Sequence, residues 1–159
     1  MANELLWLRN VWDTSTPKGL IIMEQAQIIS KAKEFTDALH TLEKGTLDDV
    51  GQLVGLYASD ATLANSALDN KGQELNGRDQ ILQFWTQYKE TLGDVFSNFH
   101  HITVSEDSAG LFWTTEGTNP GGDKVHYHGS TLLVFNPEGT IQFFRGYYDT
   151  RELTLKPEH

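Results

Sequence analysis

The chain has 159 residues, of which 38% are hydrophobic and 21% charged, a composition typical of one globular domain and not of a disordered chain. Its formal net charge of −10, with lysines and arginines scattered along the sequence, argues against the basic face of a nucleic-acid-binding protein. There is no cysteine, which excludes disulfides, thiolate metal sites and a cysteine nucleophile and fits a reducing compartment, so we expect a cytoplasmic protein.

The first 23 residues stand apart from the pattern that follows. Five of their apolar residues are spaced as one stripe of a short helix: Leu5, Leu6, Leu8, Val11 and Trp12. The segment lacks the basic start, long apolar centre and cleavage site of a signal peptide, and no run approaches the ~20 apolar residues of a membrane span. It is either an amphipathic arm packed on the domain or on a partner subunit, or an extension that precedes a start at Met23.

Three helices are predicted before residue 93. Apolar residues recur at helical spacing over residues 24–44, and Gly45 then ends this helix. Residues 46–49, Thr-Leu-Asp-Asp, have the pattern of a capping box and begin a second helix. A short strand and a polar loop follow, and a third helix covers residues 78–92.

After Gly93 the pattern changes to strands. The separators SEDSAG, NPGGD and NPEG each combine glycine with the residues of tight reversals. Helices first and an antiparallel meander afterwards predict the α+β class. The predicted strands are NFHHITVSED, GLFWTTEGTN, DKVHYHGSTLLVF and TIQFFRGYYDT.

Hairpin turns fix which residues pair and therefore which face each side chain takes. From the turns we expect Thr131 beside Phe144, Glu116 beside Tyr127 and Phe99, and His101 beside Thr114. One face then contains Phe99, His101, Thr114, Glu116, Tyr127, Thr131, Leu133, Phe135, Phe144 and Tyr148. The other contains His100, Trp113, Thr115, His126, His128, Leu132, Val134, Phe143, Tyr147 and Asp149. Both faces are substantially apolar, so we expect the helices to cover one and a second subunit to cover the other.

Three stretches in this order, ALHTLEKGTLDDVGQLVGLYASDATL, GRDQILQFW and GTIQFFRGYYDTREL, make the chain resemble the nuclear transport factor 2-like superfamily, in particular its SnoaL-like and ketosteroid-isomerase-like branches. The resemblance covers about residues 28–153. It implies a cystatin-like cone with three N-terminal helices packed on a curved, mostly antiparallel sheet, an apolar pocket between them, and dimers formed sheet to sheet. The domain then spans residues 24–155, and residues 156–159 are a tail.

The resemblance also shows which catalytic groups the chain lacks. The tyrosine and two aspartates of ketosteroid isomerases correspond to Phe35, Asn65 and Thr131. A phenyl ring cannot donate a hydrogen bond and an amide cannot act as a base, so that mechanism does not carry over. The acid/base aspartate of SnoaL-like polyketide cyclases corresponds to Gly146, and the aspartate pair of limonene epoxide hydrolases has no clear counterpart.

The main interpretation is a homodimer whose pocket binds a small, largely apolar molecule without a cofactor. The expected pocket residues are Phe35, Tyr57, Asn65, Trp85, Phe99, Tyr127, Thr131, Phe144 and Tyr148. One alternative is an isomerase, polyketide cyclase or dehydratase in which Glu116 and His101 supply acid/base chemistry. The other is a dimerisation module without catalysis.

His126 and His128 stand two apart on a predicted strand, a spacing at which two imidazoles converge. With His100 as a third ligand they suggest a metal site. The other interpretation places them in the subunit interface with Tyr147 and Asp149. Because there is no cysteine and no tight ligand motif, the sequence favours the interface and no metal. The glycines of TNPGGDK lack a strand-to-helix context, so nucleotide binding is not supported.

Overall fold

The structure, a computed structural model, describes residues 24–69 and 73–152. The predicted N-terminal arm of residues 1–23 and the tail of residues 156–159 lie outside the described residues, so both stay predictions.

All the described helices lie before residue 93 of the chain. They are α1 (Gln25–Lys44), a 3₁₀ turn (Leu47–Asp49), α2 (Val50–Val54), α3 (Ser66–Asp69) and α4 (Arg78–Leu92). The capping box at Thr46 is confirmed: its backbone N–H donates to Asp49 Oδ2 at 2.9 Å, and its hydroxyl accepts from the Asp48 N–H. The second helix ends at Val54, because Tyr57 soon begins a strand. No described helix has the length and apolar character needed to cross a membrane.

Within the described residues, six strands form one sheet in the order β2-β1-β6-β5-β4-β3. Their bounds are β1 (Tyr57–Asn65), β2 (Leu75–Asn76), β3 (Asp94–Val104), β4 (Ser108–Thr118), β5 (Lys124–Phe135) and β6 (Ile141–Tyr148). Only β1 and β6 pair in parallel; the other neighbours are antiparallel, so the predicted α+β class is confirmed.

One face of the sheet, called here the inner face, is covered by helices. Helix α1 packs against β3 and β4, α4 packs against β1, and α2 fills the space between the two longer helices. The periodicity of α1 explains its orientation, because Ile28, Ala32, Phe35 and Leu39 recur on one side and are all buried. The opposite face of the sheet is called the outer face.

The expected register of β4 is wrong by one residue. The loop after β4 has five residues, 119–123, so Thr118 pairs with Lys124 and Glu116 pairs with His126. Because side chains alternate along a strand, this shift exchanges the two faces of β4. Trp113 and Thr115, expected outside, are therefore buried on the inner face, and Glu116 is exposed on the outer face.

The expected register of β3 is also wrong, because the strand has a bulge at His100. Phe99 pairs with Trp113, whereas His101 pairs with Phe112, so the alternation is interrupted between them. Phe99 is half-buried on the inner face, and His101 is exposed with its ring against the ring of Phe112. The placement of His101 inside the pocket is therefore wrong.

The expected register of the hairpin of β5 and β6 is wrong by two residues. Thr131 pairs with Gly146, not with Phe144, a displacement of two residues from the expected register. A shift by two keeps every side chain on its face. Tyr127, Thr131 and Phe144 accordingly lie on the inner face as predicted.

Candidate ligand-binding site

The nine residues predicted for the pocket all lie on the inner side of the sheet. Seven of them are buried, and Phe99 and Tyr148 are half-buried. They come from α1, α4 and all the strands except β2 and β4. The tertiary structure thus brings them together, while their contact with a ligand stays a prediction.

Aromatic rings from two helices and one strand meet at one end of this region. Trp85 of α4 packs edge-on against Phe35 of α1 and Phe144 of β6, with ring centroids 6.2 and 5.6 Å apart. Trp85 Nε1 also donates a hydrogen bond of 3.1 Å to the hydroxyl of Tyr57. Burial raises the pKa of Tyr57, because its ionised form would lose hydration. This end is an apolar wall whose polar atoms already have partners.

Two tyrosines and a tryptophan continue the wall along β4, β5 and β6. The Tyr127 ring lies between Trp113 and Tyr148, with centroid distances of 5.1 and 5.4 Å. Trp113 Nε1 donates a 2.9 Å hydrogen bond to Thr131 Oγ1. Thr131, which the resemblance aligns with an acid of ketosteroid isomerases, thus accepts a hydrogen bond from a residue that the expected register placed on the opposite face.

Tyr148 carries an unsatisfied hydroxyl. Its Oη is buried and makes no hydrogen bond of good geometry with any described residue. Burial raises the pKa of Tyr148, while the nearby Asn65 side chain and the Ala67 backbone partly lower it. A buried polar atom without a partner costs about 1–3 kcal/mol, so the position calls for a ligand or a water molecule.

Sequence reasoning missed Glu43, a buried carboxylate close to this wall. The residue is 1% exposed near the end of α1. Its Oε1 accepts from the Ser97 N–H at 2.9 Å, and its Oε2 accepts from Ser97 Oγ at 2.5 Å and from Tyr88 Oη at 2.6 Å. Helical spacing offered the signal, because Glu43 lies seven residues after the buried Thr36 and next to the buried Leu42.

The two histidines of β5 lie on the outer face, and each is paired with a different carboxylate. His126 Nε2 is 3.1 Å from Glu116 Oε1, and His128 Nδ1 is 3.0 Å from Glu152 Oε2. In the part of the chain that the structure describes, no three side chains of His, Asp or Glu are grouped to hold a metal ion.

Glu116 and His101, the proposed acid/base pair, are not brought together with the pocket. The side chain of Glu116 is 67% exposed in its contact with His126, and His101 is exposed on β3. Glu116 lies outside because the five-residue loop shifts the register of β4, and His101 lies outside because of the bulge at His100 in β3. The geometric basis for catalysis by this pair is therefore absent.

A family model described as the SnoaL-like domain matches residues 34–143, more than half of the chain. The chain belongs to the SnoaL-like domain family. The comparison with curated proteins gives no match.

Three solved structures show the same fold. An NTF2-like protein of unknown function from Burkholderia pseudomallei has a TM-score of 0.68 at 16% identity and covers 82% of this chain and 95% of its own. AclR, a putative hydroxylase from Streptomyces galilaeus, has a TM-score of 0.66 at 16% identity, covering 82% and 94%. The BvnE pinacolase from Penicillium brevicompactum has a TM-score of 0.66 at 14% identity, covering 80% and 89%. At such low identity the likeness concerns the fold alone, because one fold supports many activities.

Proposed function

We propose that this SnoaL-like domain binds a small, largely apolar molecule between the inner face of the sheet and helices α1 and α4. The observation that carries the proposal is the buried hydroxyl of Tyr148, which lies without a good partner among aromatic side chains. Ligand sites typically combine such apolar walls with a few polar groups that orient the bound molecule. We further propose that the protein binds this molecule without a cofactor and is located in the cytoplasm.

Two adjacent tyrosines provide a matched test. Tyr148 lies on the inner face, whereas Tyr147 is 45% exposed on the outer face. We expect thermal-shift and native mass spectrometry screens of apolar metabolites to give oxygen-containing binders. Tyr148→Phe should weaken such binders by about three- to tenfold, the value of one hydrogen bond, and Tyr147→Phe should leave their affinity unchanged.

Two results would count against ligand binding at the inner face. One is a screen without any binder. The other is an equal loss of affinity in Tyr147→Phe and Tyr148→Phe, since the first substitution does not touch the inner face.

We also propose that the chain forms a homodimer through the outer face of the sheet. Phe112 and Tyr147 are 38% and 45% exposed there, and Leu132, Val134 and Phe143 are partly exposed around them. The pairing of Phe112 with Ser130 and of Ser130 with Tyr147 places these two exposed rings on one cross-strand row. An apolar patch of this kind on a sheet is typical of an interface.

His126 and His128 lie toward the beginning of β5 on the same outer face, where their pairs with Glu116 and Glu152 form a polar margin to the patch. Native mass spectrometry should show a dimer that Phe112→Asp dissociates. Ile29→Asp is the control, since Ile29 is 49% exposed on α1, away from the sheet. A monomeric wild-type protein at micromolar concentration would exclude this interface.

A further inference from the structure

Gly146 leaves a gap in the inner face that the packing of the strands does not require. A Cβ at Gly117 or Gly129 would overlap backbone atoms of a neighbouring strand, so those two positions need glycine. A Cβ at Gly146 would instead lie 3.6 Å from the Phe144 ring and 3.8 and 3.9 Å from Cβ and Nδ2 of Asn65, which are ordinary contact distances. The φ angle of Gly146 is not positive either. This buried position therefore has room for a group the size of a methyl group or of one carbonyl oxygen.

The side-chain amide of Asn65 borders this gap with its nitrogen. Asn65 is 6% exposed at the end of β1, and Gly146 is its cross-strand partner on β6. The Ala67 N–H can only donate, so the amide atom that lies 2.8 Å from it is the oxygen Oδ1, and the nitrogen Nδ2 is the atom beside the gap. The same hydrogen bond fixes the amide in place, because it closes a turn between residues 65 and 67.

The Nδ2 atom of Asn65 has two protons and no acceptor for them. Within the part of the chain that the structure describes, the amide makes no hydrogen bond of good geometry besides the one from Ala67. The hydroxyl of Tyr148, the next inner-face side chain of β6 after Gly146, lacks a good partner as well. Buried donors normally have acceptors, so the gap adjoins a donor whose acceptor has to come from a bound molecule.

We propose that the gap at Gly146 receives the carbonyl oxygen of a neutral ligand and that Asn65 Nδ2 donates a hydrogen bond to this oxygen. The inference rests on the proposed function and names the chemical class of its ligand, a ketone or similar carbonyl compound with an apolar skeleton. An amide nitrogen only donates, whereas the Tyr148 hydroxyl can donate or accept, so Asn65 is the residue that selects an acceptor.

A carboxylate ligand is disfavoured although its oxygens are acceptors too. The gap is bordered by the Phe144 ring and a neutral amide, and the chain carries a net charge of −10. An anion would therefore lose its hydration without gaining a cation, and the field of the whole protein would repel it.

The probes are pairs of bicyclic compounds with and without the carbonyl group. They are 1-tetralone with tetralin and 1-indanone with indane, and 2-naphthoate serves as an anion of similar size. Isothermal titration calorimetry on the full chain at pH 8 gives the ratio of ketone affinity to hydrocarbon affinity for each pair. Because both members of a pair share one skeleton, a change of this ratio in a variant reports on the carbonyl group. We expect at least one of the ketones to bind, and naphthoate to bind more weakly.

Asn65→Asp replaces the proposed donor with an acceptor. One carboxylate oxygen keeps the hydrogen bond from the Ala67 N–H, and the other takes the place of Nδ2. We expect the ketone-to-hydrocarbon ratio to fall by about three- to tenfold, the value of one hydrogen bond. The infrared carbonyl band of the bound ketone should also lie at higher frequency in this variant than in the wild-type protein. Asn98→Asp is the matched control, since Asn98 is exposed on β3, and it should leave the ratio unchanged.

Gly146→Ala fills the gap and tests its part separately. The added methyl group meets its neighbours at 3.6–3.9 Å, so the variant should fold with a Tm no lower than that of the wild-type protein. The methyl group takes the position of the carbonyl oxygen, so ketone affinity should fall by about tenfold and hydrocarbon affinity by less. A residue with only a structural role would weaken both members of a pair alike.

The outcomes separate the two proposals. Binding of the hydrocarbons without the ketones, or a ratio that keeps its wild-type value in folded Asn65→Asp and Gly146→Ala, would overturn the inference and leave ligand binding intact. If Asn65→Asp does not fold, the ratio in Gly146→Ala decides. Tighter binding of naphthoate than of either ketone would overturn the carbonyl class. Failure of every probe to bind would overturn the proposed function, and the inference with it.

Discussion

Glu43 is a carboxylate held in the interior by hydrogen bonds from Ser97 and Tyr88. Lys89, whose ammonium is near, bonds instead to the backbone carbonyls of Glu43 and Gly93. The charge is therefore stabilised by three donors and not by an ion pair, an arrangement in which each lost partner leaves another buried group unsatisfied.

Removal of this carboxylate should destabilise the protein more than removal of an exposed one. Glu43→Ala leaves the Ser97 N–H, the Ser97 hydroxyl and the Tyr88 hydroxyl without their acceptor, so we expect the free energy of unfolding to fall by about 3 kcal/mol or more. Glu34→Ala on the same helix removes only an exposed pair with Lys31 and should cost less than about 0.5 kcal/mol. Urea denaturation followed by circular dichroism measures both, and equal losses would contradict the role of the buried network.

At the scale of elements, the length of the loop between β4 and β5 decides which face of the sheet each β4 side chain takes. Five residues between β4 and β5 place Glu116 opposite His126, whereas the expected pairing placed it opposite Tyr127. A shift of the register by one residue therefore decides whether Glu116 makes an exposed contact with His126 or lies buried among aromatic side chains. The alternating apolar pattern could not settle this, because β4 has aromatic or apolar side chains on both faces.

Gly129 shows how closely β5 is packed between its neighbours. A Cβ at this position would lie 2.2 Å from the Tyr147 carbonyl oxygen and 2.9 Å from a carbon of the Trp113 ring. Gly129→Ala should therefore push β5 away from β6 and reduce the free energy of unfolding by about 1–3 kcal/mol or more.

Gly51→Ala is the contrasting substitution in α2. Nothing lies within 4 Å of the added methyl group, so the better helix propensity of alanine should raise stability by about 0.5–1 kcal/mol. Thermal unfolding of the two variants should move in opposite directions. A neutral Gly129→Ala would show that the two strands are packed less closely than described.

At the scale of the whole molecule, the stability of the folded state depends on buried tyrosines that keep their protons. Burial raises the pKa values of Tyr57, Tyr88 and Tyr127 above the usual 10.0, and for the last two the charge of Glu43 adds to it. Tyrosine is charged when it loses its proton, so a raised pKa means that the folded state retains protons that the unfolded chain releases.

The sign of the pH dependence follows from this difference. The stability contributed by these three tyrosines is fully present below about pH 10 and is lost as the pH rises further, by about 1.4 kcal/mol per pH unit for each. We expect alkaline unfolding in which the three buried phenols ionise together with the loss of structure. Absorbance of tyrosinate and circular dichroism, recorded in one titration, should change together. Complete ionisation of all tyrosines in a folded protein would contradict the described burial.

The sequence by itself determined the α+β class, the order of the elements and the inner face of β5 and β6, because helical and strand periodicities are local and a register error of two residues preserves alternation. It also predicted nine pocket residues, all of which lie on the inner side of the sheet, while their contact with a ligand stays a prediction. Only the tertiary structure decided the face of β4, the free hydroxyl of Tyr148 and the burial of Glu43. These depend on one residue of loop length and on hydrogen bonds between residues as far as 54 positions apart, which no local pattern records.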